Sequence, residues 1–419
     1  MLVRMATIVF IFLCIAAAWG VLGGTVMHRT TNQDESLKTA VGELWGTKQR
    51  QLAPQIYYQT TRQTKAETIQ GGKTVTETRD ETVNHPLLLD GSDIKVDLKL
   101  EYRRKGLLWY SIYRVRFDGK YRVTNYTDSE GDIFFNFSAP AQSGVYDDFR
   151  LVVGGKEIPN LPFNAGVLSH KFRLAPGQSE VVEIGYGSQG MDEWWYDFGK
   201  DVSQVKNFSL AMRTDFDQID FPQSSLSPTQ RTQGPSGWEL KWQYANLLSG
   251  VKIGMVMPRR LNPGPWVSQI TFAAPVSLFL FFFVVFVLAT VKKIKLHPMN
   301  YFFIGAAFFS FHLLLAYLVD HVSIHVSFLI CSLVSIALVV SYLRLAVGNR
   351  FAFIEAGILQ FVYLVLFSYT FFFERFTGLA ITVLCILTLF VVMQFTGRVD
   401  WDTLFRRGPT AEAGRAPRA

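Results

Sequence analysis

Five apolar blocks stand almost back to back between Ser268 and Thr396, after a polar stretch of roughly 240 residues and a lone apolar block at Met5–Val26. Each has the length a helix needs to cross a bilayer, about 20 mainly apolar residues. Met5–Val26 contains no charge, and the later blocks read as Ser268–Val291, Pro298–Val319, Ser323–Leu343, Phe351–Phe373 and Phe376–Thr396. Their connectors leave room only for turns. A soluble core does not supply five consecutive helices of this length, so the pattern predicts six membrane spans.

The polar stretch carries a different period. Ile94, Val96, Leu98, Leu100 and Tyr102 alternate with Lys95, Asp97, Lys99 and Glu101, the two-residue repeat of a strand with one buried face. Tyr113, Val115 and Phe117 alternate with Arg114 and Arg116, and Asp118-Gly119 then reads as a hairpin turn into Tyr121 and Val123. Further strands are expected at Val182/Ile184/Tyr186, Phe208/Leu210/Met212 and Trp238/Leu240/Trp242/Tyr244, with turns at Gly154-Gly155 and Pro176-Gly177. Upstream, Asp34–Trp45 puts Leu37, Val41 and Leu44 on one helical face and continues or buttresses the first span. The predicted fold is an α + β membrane protein in four parts. These are an N-terminal transmembrane anchor helix (1–26), a mainly antiparallel β domain of one or two sandwich-like lobes (27–267), a five-helix transmembrane bundle (268–397) and a basic tail (398–419).

Charge then orients the chain. One set of flanks carries Arg4, Lys292, Lys293, Lys295, Arg344, Arg350, Arg398, Arg406, Arg407, Arg415 and Arg418, while the opposite set holds only Arg375. Positive flanks stay cytoplasmic, so both termini are expected inside and the β domain outside. Of the 41 Lys and Arg, 29 lie between residues 27 and 267, against 28 of the 34 Asp and Glu. The β domain is thus nearly neutral, and the formal charge of +7 is mostly the cytoplasmic rim. Such a rim meets lipid headgroups; it gives no support to nucleic-acid binding. An apolar run that continues past Ala16-Ala17-Ala18 to Val26 reads as an uncleaved anchor. All three cysteines, Cys14, Cys331 and Cys385, fall inside spans, which leaves the β domain without a disulfide.

Little of the chain spells catalysis. Gly185-Tyr186-Gly187-Ser188-Gln189-Gly190 has G-x-G-x-x-G spacing, but a dinucleotide site needs a helix to start there. The chain continues instead as acidic and aromatic Met191-Asp192-Glu193-Trp194-Trp195-Tyr196, so a glycine-rich turn is the expectation and no cofactor is implied. Trp194, Trp195 and Tyr196 form an aromatic cluster that is either an interaction surface or packing. At the outer mouth of the bundle, Asp320, His321 and His325 gather, with His312 about two turns deeper and Glu374 on the same side. Ionisable groups in spans are costly unless paired or functional, so these five are the candidates for a metal or a proton switch. The competing reading is a polar rim, with His312 hydrogen-bonded to a neighbouring helix. Glu355, near the cytoplasmic end, is expected to snorkel or to pair with Arg344 or Arg350.

Several stretches resemble one known family. Glu43-Leu44-Trp45-Gly46 with Gln49 is similar to the Trp-Gly-x-x-Gln signature of the CreD inner-membrane protein family. Arg103-Arg104-Lys105-Gly106, Tyr113 and Gly119-Lys120-Tyr121 resemble its Arg-rich stretch. His297-Pro298, Tyr301, Gly305 and Leu313-Leu314-Leu315 resemble the opening of its bundle, and Gly397-Arg398-Val399-Asp400-Trp401 its closing cap. Ala53-Pro54, Asp320 and the segment 220–264 depart from its pattern. The resemblance implies a non-enzymatic bacterial inner-membrane protein tied to envelope integrity or envelope stress, its β domain meeting a partner protein, lipid or cell-wall component. A transporter or channel and a periplasmic ligand sensor are the competing functions.

The charge asymmetry makes a topology testable. In a cysteine-free background, Gly155→Cys should react with a membrane-impermeant thiol reagent in intact cells, and Gly348→Cys only after lysis. Labelling of Gly348→Cys in intact cells would reverse the orientation.

Overall fold

The computed structural model describes residues 2–70, 73–106, 108–141, 144–159, 163–199, 204–248, 250–373 and 376–397. The chain divides into two compact units, one of residues 1–34 with 261–419 and one of residues 35–260.

Among the described residues six helices are long and apolar enough to span a membrane, and their apolar segments belong to the first unit. The chain opens on a helix, Leu2–Trp45, that runs well past the apolar block ending at Val26. Within the unit its buried apolar side chains are Ile11, Ile15, Trp19, Leu22 and Val26. That spacing of three and four residues is one stripe along a helix, and the stripe belongs to the core of the bundle. The second to sixth spans are Pro263–Val291, Pro298–Leu318, Ile324–Ala346, Phe351–Phe372 and Thr377–Thr396. Second, third and fourth are regular helices. The fifth is not: Phe351–Ala356 and Phe361–Leu366 are π-helical, with an α-helical turn, Gly357–Gln360, between them. Such wide turns are rare and frequently sit at functional positions. In the sixth span only Thr388 and Val392 are buried. Glu374 lies outside the described residues, as does the tail from Arg398 with its Asp400-Trp401 cap.

The second unit is β-rich. Its strands in the first half are β1 (Gln49–Leu52), β2 (Gln55–Gln70), β3 (Lys73–Leu87), β4 (Gly91–Lys105), β5 (Leu108–Thr124), β6 (Gly131–Ser138), β7 (Tyr146–Val153) and β8 (Lys156–Glu157). The second half adds β9 (Phe163–Asn164), β10 (Val167–Leu174), β11 (Ser179–Met191), β12 (Glu193–Asp197), β13 (Val205–Thr214), β14 (Gln230–Gly234), β15 (Gly237–Leu247) and β16 (Ile253–Val256). They form an eight-stranded sheet (β14-β15-β13-β4-β5-β11-β7-β8), a five-stranded sheet (β3-β2-β6-β10-β9) and a three-stranded sheet (β1-β12-β16). Pairing is antiparallel except for β1 with β12 and β13 with β4. The inward faces of the sheets share one core, where Phe117 on β5, Phe137 on β6 and Tyr186 on β11 meet. The alternation in 94–98 is real: Ile94, Val96 and Leu98 are buried while Lys95 is exposed. Leu240 and Trp242 are likewise buried on β15, with Trp238 and Tyr244 packed against the same core.

Two expected turns are strands. Asp118-Gly119 lies inside β5, paired on one side with β4 and on the other with β11. The turn before β5 falls instead at Gly106, which has φ +60. Asp118 needs no turn to satisfy its carboxylate, because Arg150 donates to it at 2.6 Å across the sheet. The G-x-G-x-x-G segment also runs straight through β11. Its glycines serve close approach: a Cβ on Gly190 would lie 2.4 Å from the Tyr113 hydroxyl.

Gly46 is where the opening helix stops. Its backbone has φ +92, and a Cβ there would lie 2.1 Å from the Gln189 carbonyl oxygen. Left-handed backbone costs an ordinary residue about 1–2 kcal/mol, and overpacking typically adds about 1–3 kcal/mol. Gly155, at φ +74 with open space around it, isolates the first term. Gly46→Ala should therefore lower the thermal midpoint of the β-rich unit more than Gly155→Ala does, followed by intrinsic fluorescence of the purified protein. Equal losses would show that the contact with Gln189 carries no weight.

Candidate functional site

Among the described residues, the histidines and Asp320 expected at one mouth do not converge. Asp320 makes an ion pair at 3.1 Å with Arg29 on the first helix. Arg29 also donates to the Ala316 carbonyl at 3.2 Å and lies 5.8 Å from the Tyr317 ring centroid. The third-span end thus holds an arginine from more than 280 residues earlier, a pairing that local spacing could not announce. His321 is exposed, and His325 stacks on Phe372 with ring centroids 4.8 Å apart. His312 is buried; its Nδ1 is 3.2 Å from the Phe308 carbonyl, and Trp19 and Phe311 close on its ring edge-on. Among the described residues no group of three or more His, Cys, Asp or Glu has the proximity a metal needs. Glu355 pairs with Lys292, not with the expected Arg344 or Arg350.

The bundle's polar chemistry lies elsewhere. Gln360 is fully buried, nine residues into the fifth span, about 14 Å along a helix and so near the middle of a hydrocarbon layer of about 30 Å. Its amide donates to Ser335 Oγ on the fourth span at 2.9 Å, and Ser335 donates to the Ala307 carbonyl on the third at 2.7 Å. Three residues on, the Tyr363 hydroxyl meets Thr388 Oγ1 on the sixth span at 2.7 Å, while Ser277 on the second donates to the Tyr363 carbonyl. Two residues of the fifth span therefore join the other four helices of the bundle through hydrogen bonds in a medium that offers no water. Gln360 Oε1 is buried without a partner among the described residues. Phe, Leu and Val dominate the middles of these spans, and that masked the seam in the sequence.

In the β-rich unit the Trp-Gly-x-x-Gln stretch has a structural task. After Gly46 the chain enters β1, and buried Gln49 donates to Ser188 Oγ at 2.7 Å and to the Gln189 carbonyl at 2.8 Å. Gln51 accepts from the Tyr186 hydroxyl at 2.7 Å and donates to the Ser138 carbonyl at 3.1 Å. Burial pushes the Tyr113 and Tyr186 phenols well above the usual tyrosine range, so both stay neutral donors. Val41 and Leu37 pack against Leu108, Tyr110 and Ile112, whereas Leu44, expected on the same face, is exposed.

Trp194 and Tyr196 are core residues rather than a surface, and Trp195 is half-buried. They lie on β12, between β1 and β16, where alternate side chains point into the core. Next to them, Asp197 receives Arg50 from β1 and Lys252 at 3.3 Å. Burial alone would raise the Asp197 carboxyl, but the Gly199 amide, Arg50 and Lys252 outweigh it and hold it below the usual aspartate range.

Beyond Asp197 opens a cleft of about 430 Å³, within the range of small-molecule sites. The strand ends of both large sheets line it. Ile56, Leu87, Phe198 and Phe208 give apolar walls, and Gln55, Asn84, Asn136 and Gln204 bring carboxamides; among the described residues the lining carries no charge. Their residue types were visible in the sequence, but they come from four separated stretches, so no motif marked them.

The comparisons with known proteins point to one family. The sequence model for the inner membrane protein CreD matches residues 1–175 and 270–402. No curated protein matches the chain. Among solved structures, a Legionella pneumophila protein provisionally described as nutrient-binding aligns at 9% identity with a TM-score of 0.28, covering 46% of this chain and 74% of its own.

The seam predicts its own cost. Ser335→Ala should strand the Gln360 amide and destabilise the bundle by about 1 kcal/mol, since hydrogen bonds between membrane helices average about 0.6 and reach about 1.7 kcal/mol. Gln360→Leu in the same background should recover part of the loss in a detergent unfolding titration. Additive losses would mean the two side chains do not interact.

Proposed function

The chain belongs to the CreD inner membrane protein family, and we propose that it serves the bacterial cell envelope by recognition rather than catalysis. In this reading both termini are cytoplasmic, and the β-rich unit stands on the periplasmic side. There it meets an envelope partner, lipid or cell-wall component and contributes to envelope integrity or the response to envelope stress.

The cleft between the two large sheets carries the proposal. It combines apolar walls with convergent carboxamides, the make-up of a site that selects by shape and a few hydrogen bonds. With no charge among the described lining residues, an uncharged group or segment suits it better than an ion. Two of the carboxamides are already oriented by neighbours: Gln59 donates to Asn84 Oδ1 at 3.0 Å, and Ser169 to Asn136 Oδ1 at 2.8 Å. A preorganised lining loses less entropy when a ligand arrives. The flanking charge pattern supports the orientation, because Lys and Arg concentrate on the cytoplasmic side of membrane proteins.

Filling the cleft tests the reading. Ala53→Trp and Ser138→Phe should reach the membrane at wild-type abundance yet fail to restore resistance to envelope stress in a strain lacking the protein. Lys156→Trp, on exposed β8, should restore it. Full rescue by both cleft-filled variants would remove the cleft from function.

A further inference from the structure

The β4–β5 hairpin ends in the stretch Arg103-Arg104-Lys105-Gly106, and its register sets Arg103 opposite Tyr110 and Arg104 opposite Trp109. A second basic segment runs beside it. Ser111 on β5 donates to the Pro258 carbonyl, and two residues on the Arg260 guanidinium lies 4.4 Å from the Tyr102 ring centroid and 4.7 Å from that of Trp109. Arg103, Arg104, Arg259 and Arg260 are exposed, and Lys105 is half-exposed.

Acids satisfy only some of the neighbouring cations. Glu101 pairs with Arg103 at 2.7 Å and with Arg114 at 3.0 Å, Asp192 with Lys38, and Glu193 with Lys48. Among the described residues Arg104, Lys105, Arg259 and Arg260 stand in no ion pair. These four cations therefore share one end of the unit with a tyrosine and a tryptophan that hold one of them by its flat face. Tyr and Trp favour the boundary between headgroups and hydrocarbon, and basic clusters are drawn to anionic lipid.

The covalent chain supplies the last observation. Only Leu261 and Asn262 separate Arg260 from Pro263, where the second span begins. Three residues of extended chain reach at most about 11 Å, so Arg260 is tethered close to the residue that starts a membrane helix. We propose that the hairpin end, with Arg259 and Arg260, is a docking surface for anionic phospholipid headgroups. The guanidinium and ammonium groups would bind phosphate, and Trp109 and Tyr102 would lie at headgroup level. This surface is separate from the cleft and leaves it open.

Full-length protein in nanodiscs of phosphatidylcholine, with or without phosphatidylglycerol, gives the test, read by amide hydrogen exchange at the hairpin end. Exchange should be slower with phosphatidylglycerol, and the difference should vanish at high salt and in Arg104→Gln/Lys105→Gln. Peptides from the basic 292–295 connector serve as an internal control and should respond to lipid alike in wild type and variant. Equal exchange in both lipids, or a lipid effect that survives in the variant, would overturn the proposal. Slowing by soluble polyphosphate in uncharged discs, without a response to phosphatidylglycerol, would assign the patch to a soluble polyanion instead. Both faces of a nanodisc are accessible, so this result does not depend on the orientation of the chain or on what the cleft binds.

Discussion

A single backbone contact, the press of Gly46 against the Gln189 carbonyl, governs how the chain leaves its opening helix. A residue with a Cβ could neither adopt the left-handed conformation cheaply nor approach that oxygen. Because Gly46 does both, the chain turns at once into β1 and delivers Gln49 and Gln51 beneath β11. Those two amides then bind the Gln189 and Ser138 carbonyls, which lie on different large sheets. The small sheet β1-β12-β16 is closed by Asp197 with Arg50 and Lys252. The conformation of one glycine is thereby coupled to the seam of the sandwich, and the cleft opens where that small sheet ends.

Hydrocarbon imposes a stricter rule on the bundle. With no water available, each buried hydroxyl or amide must find its partner in another helix or in its own turn. The Gln360 amide nitrogen and Tyr363 meet that demand by reaching Ser335, Thr388 and, through the Tyr363 carbonyl, Ser277, while Gln360 Oε1 has no partner among the described residues. The π-helical turns on either side of Gln360 widen the fifth span at the level of this seam. Arg29 with Asp320 and Lys292 with Glu355 neutralise the acids near the two ends of the bundle. Buried hydrogen bonds at the centre and ion pairs toward the ends reflect the same cost of leaving charge in lipid.

Two kinds of recognition surface arise from these constraints. The described lining of the cleft is uncharged, suited to shape and hydrogen bonding. The hairpin end is basic and aromatic, suited to a charged layer. The two share no described residue, so the proposed contacts with a membrane surface and with an envelope component do not compete for the same side chains.

Features that depend on local chemistry were legible in the chain alone. Runs of apolar residues are a sufficient instruction for spans in lipid, and Pro298–Val319 and Phe376–Thr396 emerge within one residue of the helices that form. The two-residue alternation of Ile94, Val96 and Leu98 is likewise sufficient for a strand with one face in the core. Local reading failed where neighbours on both sides overrode a turn signal, as at Asp118-Gly119 between β4 and β11. It left open what depends on position in the sheet, as for Trp194 and Tyr196, which packing on a middle strand buries. Tertiary packing alone pairs Asp320 with Arg29, brings Gln360 to Ser335 and frames one cleft from four distant stretches. Those contacts join residues far apart in the chain, and periodicity records which face of an element is buried, never which element will cover it.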